Sequence, residues 1–262
     1  MPPGPVTAST PMAASAAVGA LLSGPPRAVE VAVVTPQAVY LATGDPRCPA
    51  LCLVGPRAVR VPCALVVGRM PAGSVVGDTG PAGAGTLSLP SFGGRVARWW
   101  RPPRPDGLDT SQLRSAAVEL SRRIPEVSTP RALDGLVGAI VTGGPLTGPV
   151  ARLVGWGPGL TPMGDDLLAG MLVTLGALGA PSFEPLGTAV GALAPTRTTF
   201  VSAALLHHAA RGECIPELAA VLTAQRDGIA VAAAVDALLG IGHTSGAGLA
   251  RGVLAALDLV SR

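Results

Sequence analysis

Hydrophobic and polar positions alternate in two different ways along this chain, and the change falls near residue 106. From Val29 onward, short β-prone runs are separated by turn residues: Val29 to Thr35, Ala38 to Ala42, Ala50 to Val54, Ala58 to Pro62 and Ala64 to Gly68. Thr35-Pro36, Gly44-Asp45-Pro46 and Gly55-Pro56 punctuate them, as turns between strands require. Strands this short and this closely spaced predict a small antiparallel sheet or barrel. A Gly-rich stretch from Pro71 to Gly85 then leads through a strand-like Thr86 to Leu89 to an Arg-Trp-Pro connector.

After Asp109-Thr110-Ser111 the period becomes helical. Leu113, Ala116, Ala117 and Leu120 share one face, with Arg114, Glu119 and Arg122 opposite. Further helices are expected at Arg131 to Val141, Pro149 to Val154, Asp165 to Leu178, Thr199 to Ala210, Pro216 to Thr223, Ile229 to Leu239 and Gly246 to Leu259. The reading is an α+β protein: a disordered tail over residues 1–11, a β-rich domain over 12–105, and an α-helical domain over 106–262. Ala13 to Leu22 reads as a short helix.

Composition narrows the chemistry. Hydrophobic residues make up 48% of the chain and charged residues only 13%, so many helices must be buried on most sides. All nineteen basic residues are arginine. A P-loop lysine, a Schiff-base lysine and a lysine base are therefore excluded, and anions must be met by Arg, hydroxyls or backbone N–H groups. Arg95, Arg98, Arg101 and Arg104 surround Trp99 and Trp100 without any nucleic-acid reading motif, so no nucleic acid is expected. The longest apolar helix, about a dozen residues, falls short of the ~20 that a membrane span needs. No basic residue precedes Ala13 to Leu22, which argues against a signal peptide and makes the cytoplasm the expected location. Cys48, Cys52, Cys63 and Cys214 form no paired CxxC units and read as buried free thiols, with no metal site.

Three loop-to-helix junctions in the second half carry candidate chemistry. In Gly155-Trp156-Gly157-Pro158-Gly159-Leu160-Thr161-Pro162-Met163-Gly164-Asp165-Asp166, Thr161 reads as an N-cap and Pro162 as the first helical residue. Asp165 and Asp166 then fall at the positive end of a helix. Capping explains one aspartate better than two. Since neighbouring helical side chains diverge by about 100°, at least one should enter a cleft. The second junction, Pro195-Thr196-Arg197-Thr198-Thr199, places hydroxyls and a guanidinium at an expected helix start, which suits an anion. In the third, Gly240-Ile241-Gly242-His243-Thr244-Ser245-Gly246-Ala247-Gly248, His243 is a candidate proton carrier. A solvated Arg197 and a packed His243 are the structural alternatives. His207 and His208 sit mid-helix and read as packing or surface residues.

The same segments resemble the AllH-like family. The resemblance lies in Gly157-Pro158-Gly159-Leu160-Thr161-Pro162-x-Gly164-Asp165-Asp166-x-Leu168-Ala169-Gly170, in Arg197-Thr198-Thr199-x-x-Ser202 with Ala210-Arg211-Gly212-Glu213, and in Gly242-His243-Thr244-Ser245-Gly246-Ala247. Met163 stands where the family pattern has Ser, and Gly248 where it has an acidic residue. The resemblance implies a subunit of oxamate carbamoyltransferase in allantoin degradation, a part of purine catabolism. That reaction exchanges a carbamoyl group between oxalurate and phosphate, giving oxamate and carbamoyl phosphate. It implies partner subunits and a small anionic substrate.

Together these readings expect a substrate site of Arg197, Thr198, Thr199, Gly159, Thr161, Gly164, Thr244, Ser245 and Gly246, in which backbone N–H groups meet developing negative charge. His243 would move a proton. Asp165 or Asp166 would orient it, hold the ligand amide or bind Mg²⁺. The alternatives are a non-catalytic metabolite-binding partner subunit, or a stand-alone lyase or hydrolase acting on another small acid. Homo-oligomers are compatible with each.

Overall fold

The computed structural model describes residues 9–125, 130–224 and 228–261. The chain divides into two compact units, Met1–Pro102 and Pro103–Arg262.

The first unit is a closed eight-stranded barrel, in the order β1-β5-β4-β3-β2-β6-β7-β8. Its strands are β1 (Thr10–Ser15), β2 (Arg27–Val34), β3 (Ala38–Ala42), β4 (Ala50–Val54), β5 (Ala64–Val67), β6 (Thr79–Gly83), β7 (Thr86–Leu89) and β8 (Phe92–Trp100). Closure leaves no unpaired strand edge. Most neighbours are antiparallel, but β4 pairs with β5 and β1 with β8 in parallel.

Those parallel pairs account for the main departures from the sequence reading. A parallel partner requires a connection that runs back along the strand. Residues 55–63 make that return through turns (Ala58 N–H to Gly55 O, Ala64 N–H to Val61 O), so Ala58 to Pro62 is not a strand. The Arg-Trp-Pro segment is not simply a connector: Phe92–Trp100 is the strand that closes the barrel against β1. Residues 13–15 belong to β1 rather than to a helix. The helix that follows a single 3₁₀ turn, α1, is confined to Gly19–Ser23. Thr10 and Pro11, expected in the tail, are part of β1, while residues 1–8 of that tail lie outside the described residues.

All four cysteines are free and buried, and burial pushes the thiols of Cys48, Cys52 and Cys214 up to about 12. They are inert packing groups near neutral pH.

The second unit contains α2 (Thr110–Arg123), α3 (Ala132–Thr142), α4 (Thr147–Leu153), α5 (Met163–Ala177), α6 (Phe183–Arg197), α7 (Phe200–Ala209), α8 (Pro216–Thr223), α9 (Gly228–Leu239) and α10 (Ser245–Val260). Asp109 opens α2 with a full capping box, its side chain accepting from Ser111 N–H while Gln112 reaches back to the Asp109 N–H. Helix α6 was not expected because it contains Pro185, Pro195 and two glycines. Pro185 is the third residue of the helix, where no intrahelical donor is required, and Pro195 lies in the last turn. No described helix is long and apolar enough to cross a membrane.

Helix α5 lies at the centre, buried along almost its whole length, as its uninterrupted apolar run requires. It packs on α10 along a seam of glycines. A Cβ on Gly170 would lie 2.2 Å from Leu249 O, and one on Gly252 would lie 2.1 Å from Leu167 O and 2.6 Å from Met171 N. The two backbones are therefore in direct contact, and their N-terminal ends lie side by side.

Candidate functional site

The loop before α5 folds back on itself. Gly155 has φ +75°, and a Cβ there would meet Arg197 O at 2.3 Å, so both backbone conformation and space require glycine. Gly164 N–H donates to Trp156 O at 2.9 Å, and a Cβ on Gly164 would lie 2.1 Å from Leu153 O. The helix begins at Met163 with Pro162 at the N-cap position, one residue later than expected. Thr161 is therefore released from capping. Its hydroxyl lies 2.9 Å from that of Ser245, the first residue of α10.

Asp165 and Asp166 occupy the first turn of α5 and are 2% and 6% exposed. Asp165 fastens the loop to the start of α7. One oxygen accepts the Gly155 N–H at 2.8 Å and the other accepts the Thr198 hydroxyl. Burial raises its pKa, while hydrogen bonds from Thr198, Gly155 and Ser202 oppose the rise. Removing this hub should loosen the junction. Asp165→Ala should cost at least about 2 kcal/mol in chemical denaturation, since it leaves the Gly155 N–H and the Thr198 hydroxyl without their acceptor, at about 1–3 kcal/mol for each buried group left unpaired. A loss below half a kcal/mol would show that the junction does not depend on it.

Asp166 has a different environment. Its Oδ2 has no hydrogen-bond partner among the described residues. Burial pushes its pKa up to about 7, with the charge of Asp165 adding to the rise and a Ser245 hydrogen bond opposing it. Gly248 faces it from α10, where a Cβ would lie 2.8 Å from the Asp166 Cβ and 3.2 Å from Met163 O. The two positions that depart from the family pattern, Met163 and Gly248, thus sit against each other beside this carboxyl.

The other expected site residues divide into two groups. Thr198, Thr199, Thr161 and Ser245 are drawn together with the aspartates, but their hydroxyls are engaged within the protein. Thr199 donates to Leu160 O at 2.6 Å and caps α7 by accepting from Ser202 N–H at 3.0 Å. Thr244 occupies the N-cap position of α10 without a side-chain capping bond. Arg197 does not open a helix. It ends α6, is exposed, and donates to Ala151 O at 3.2 Å, so its guanidinium makes no hydrogen bond to either aspartate. His243 is exposed on the loop before α10. Gly159 has φ +98° and open space around its Cβ position. Gly246 N–H is engaged with Ile241 O at 3.0 Å, and a Cβ there would lie 2.0 Å from Leu238 O. The N–H groups of Gly164 and Gly246 therefore bond within the fold. Among the described residues no group of three His, Cys, Asp or Glu side chains is placed to hold a metal ion.

Sequence reasoning did not include Ser202 or Gly155 in the site. Ser202 is 1% exposed and acts on Asp165. Its position three residues after Thr199, one helical turn in from the cap, was the available signal.

Another pair lies at the far end of α7, where buried His208 Nδ1 and half-buried Glu213 Oε2 are 2.7 Å apart. His207 and His208 thus lie in the last turn of α7 rather than mid-helix: His208 is buried and paired with a carboxylate, while His207 is half-buried.

No solved structure matches this chain. Residues 153–257 match the family model described as oxamate carbamoyltransferase subunit AllH. That span runs from the last residue of α4 into α10 and includes all three tied segments.

Proposed function

We propose that this chain is a subunit of an oxamate carbamoyltransferase-like enzyme, acting with partner subunits in cytoplasmic allantoin degradation. Its small-molecule site would be the junction where α5, α7 and α10 begin. The observation that supports this most directly is the pair of adjacent buried aspartates there. One is saturated by protein donors, and the other retains an unpartnered oxygen. Structural capping explains the first and leaves the second without a role.

In the reaction, the C–N bond between the carbamoyl carbon and the oxamate nitrogen of oxalurate breaks, and a C–O bond to phosphate forms. The proton lost by the attacking phosphate passes to the departing nitrogen. Exposed Arg197 and the open loop at Gly159 supply a guanidinium and free backbone for the carboxylate or phosphate. His243 stands on the neighbouring loop as the proton carrier. Asp165 holds the loop before α5 against the start of α7, and the Thr161–Ser245 pair joins that loop to α10.

The test is reconstitution with the partner subunits, following carbamoyl phosphate formation from oxalurate and phosphate. His243→Asn should lower turnover by at least about a hundredfold, as expected for a proton-transfer group, with little change in melting temperature.

A second reading has an observation in its favour. The hydroxyls of Thr198 and Thr199 bond within the protein, and His243 is exposed, as in a subunit that binds a metabolite without transforming it. Near-normal turnover in His243→Asn would support this partner reading over the catalytic one.

A further inference from the structure

Closure pairs every strand within the barrel wall, but β8 outruns that wall beyond Arg95. Its antiparallel partner β7 ends at the Thr86–Arg95 pair, and Val96 N–H to Gly85 O at 2.8 Å is the last bond on that side. Ala97 to Trp100 continue beside β1 alone, so among the described residues no strand lies on their other edge. Ala97, Arg98 and Trp99 are all exposed, Trp99 to 44%. An open strand edge presents peptide N–H and C=O groups to any extended chain that meets it.

The side chains of this overhang are sorted by face. Neighbours along a strand point opposite ways, so residues three apart should lie on opposite faces. Arg95 and Arg98 instead share one face. They pair in register with Pro11 and Ala13, because the slip between Met12 and Ala13 makes Ala97 an extra residue. Trp99 pairs with Ala14 on the other face, its ring 3.7 Å from where a Cβ on Gly19 would stand. Among the described residues Arg95, Arg98 and Arg101 make no ion pair. The barrel unit is short of acid: residues 1–102 hold eight arginines against three carboxylates. Of those three, Asp45 is already shared by Arg27 and Arg47.

We propose that the free edge of β8 at Ala97–Trp100 receives an extended segment of another polypeptide in which acidic and apolar residues alternate. Added as a strand, such a segment sends every second side chain to each face. Its carboxylates then meet Arg95 and Arg98, and its apolar groups meet Trp99. Trp and Arg are the residues that most often carry the energy of a protein interface. A second copy of this chain fits poorly, since pairing β8 with β8 sets arginine opposite arginine. A single nucleic-acid strand also fits poorly: its phosphates would meet the arginines on one face, while Trp99 as base platform stands on the other. Arginine and a bulge alone would guard an edge against self-pairing, but a guard has no use for an exposed tryptophan. This surface belongs to the barrel and is independent of the reading of the helical junction.

The probe is a fluorescein-labelled peptide of about ten residues with glutamate and valine in strict alternation, titrated with the full chain in about 0.15 M salt near neutral pH. It should bind at least about tenfold more tightly than a peptide of the same composition with its glutamates in one block, because only alternation fits both faces. Amide exchange at Ala97 to Trp100 should slow at least about fivefold on binding. Arg95→Glu and Arg98→Glu should each weaken binding at least about tenfold. Arg57→Glu makes the same charge change at another exposed arginine of the barrel and should leave binding within about twofold. Melting curves are recorded for all three variants, and either folded variant of Arg95 or Arg98 suffices. Equal binding of the two peptides, no binding of the alternating one, or an equal loss in Arg57→Glu would overturn the proposal. Tighter binding of single-stranded oligothymidylate of the same length would overturn it in favour of a nucleic-acid site. A dimer of the chain that dissociates in Arg98→Glu would overturn it in favour of a contact between copies.

Discussion

Gly252→Ala should destabilise the helical unit by at least about 3 kcal/mol, although the same substitution stabilises an ordinary helix. In a helix interior, glycine is about 0.8–1.0 kcal/mol less favourable than alanine, so relief of that penalty sets the baseline. At Gly252 the added Cβ would sit 2.1 Å from Leu167 O and 2.6 Å from Met171 N, both backbone atoms of α5. A side chain could rotate away, but a helix backbone cannot. The seam must open, and overpacking of this kind typically costs 1–3 kcal/mol, more where nothing flexible can yield. For a unit of this size the melting temperature should fall by roughly 6–12 °C. Gly191→Ala is the control. It lies on the exposed face of α6 with nothing within 4 Å of its Cβ position, and should gain up to about 1 kcal/mol. If Gly252→Ala melts at or above the parent temperature, the close α5–α10 contact is wrong. The arrangement of Thr161, Ser245 and Asp166 would then fall with it, because that seam sets the distance between the two helix starts.

This seam shows what sequence could and could not convey. The sequence places Gly164 and Gly246 in the substrate site, with their backbone N–H groups meeting developing negative charge. Gly164 and Gly246 instead make room for Leu153 O and Leu238 O, so helix meets backbone there rather than substrate. Composition cannot distinguish these cases, because both demand the absence of a Cβ. Periodic segments were legible: the apolar face of Leu113, Ala116 and Leu120 did predict α2, and the run after Asp166 did predict a helix buried all round. Elements held by tertiary context were not. Arg95 and Arg98 look like solvated connector residues, yet they lie in the strand that closes the barrel, where one side of the chain faces outward. Pro195 hid α6 and so reversed the position of Arg197, from an expected helix start to a helix end. There its positive charge complements the last carbonyls. The convergence of the three polar junctions was legible as an expectation. The partner of each hydroxyl was not, because Asp165–Thr198 and Thr161–Ser245 join residues 33 and 84 positions apart.

The second large effect concerns pH, and its sign separates Asp166 from carboxylates whose charge is satisfied in the fold. The Asp166 pKa is raised from 3.8 to about 7 in the folded protein, so between those values the unfolded chain releases a proton that the folded chain retains. Below about pH 4 both states are protonated and the group has no effect. As pH rises through this window, stability is progressively lost, and the loss is complete above about pH 7. Three pH units at 1.36 kcal/mol each place an upper limit of roughly 4 kcal/mol on that loss. Asp165, also raised, acts in the same direction. Asp166→Asn removes the ionisation but keeps the shape. It should match the parent protein near pH 4.5 within about 1 kcal/mol and exceed it by about 2 kcal/mol at pH 8, or roughly 4–8 °C in melting temperature. A carboxyl whose desolvation outweighs its hydrogen bonds behaves in this way, whereas one whose anion is well satisfied in the fold does the opposite. Melting curves of both proteins across pH 4.5–8 decide between them. An Asn variant less stable than its parent at pH 8 would mean that Asp166 has a partner that satisfies its charge, and the unpaired oxygen could no longer be read as a place for substrate.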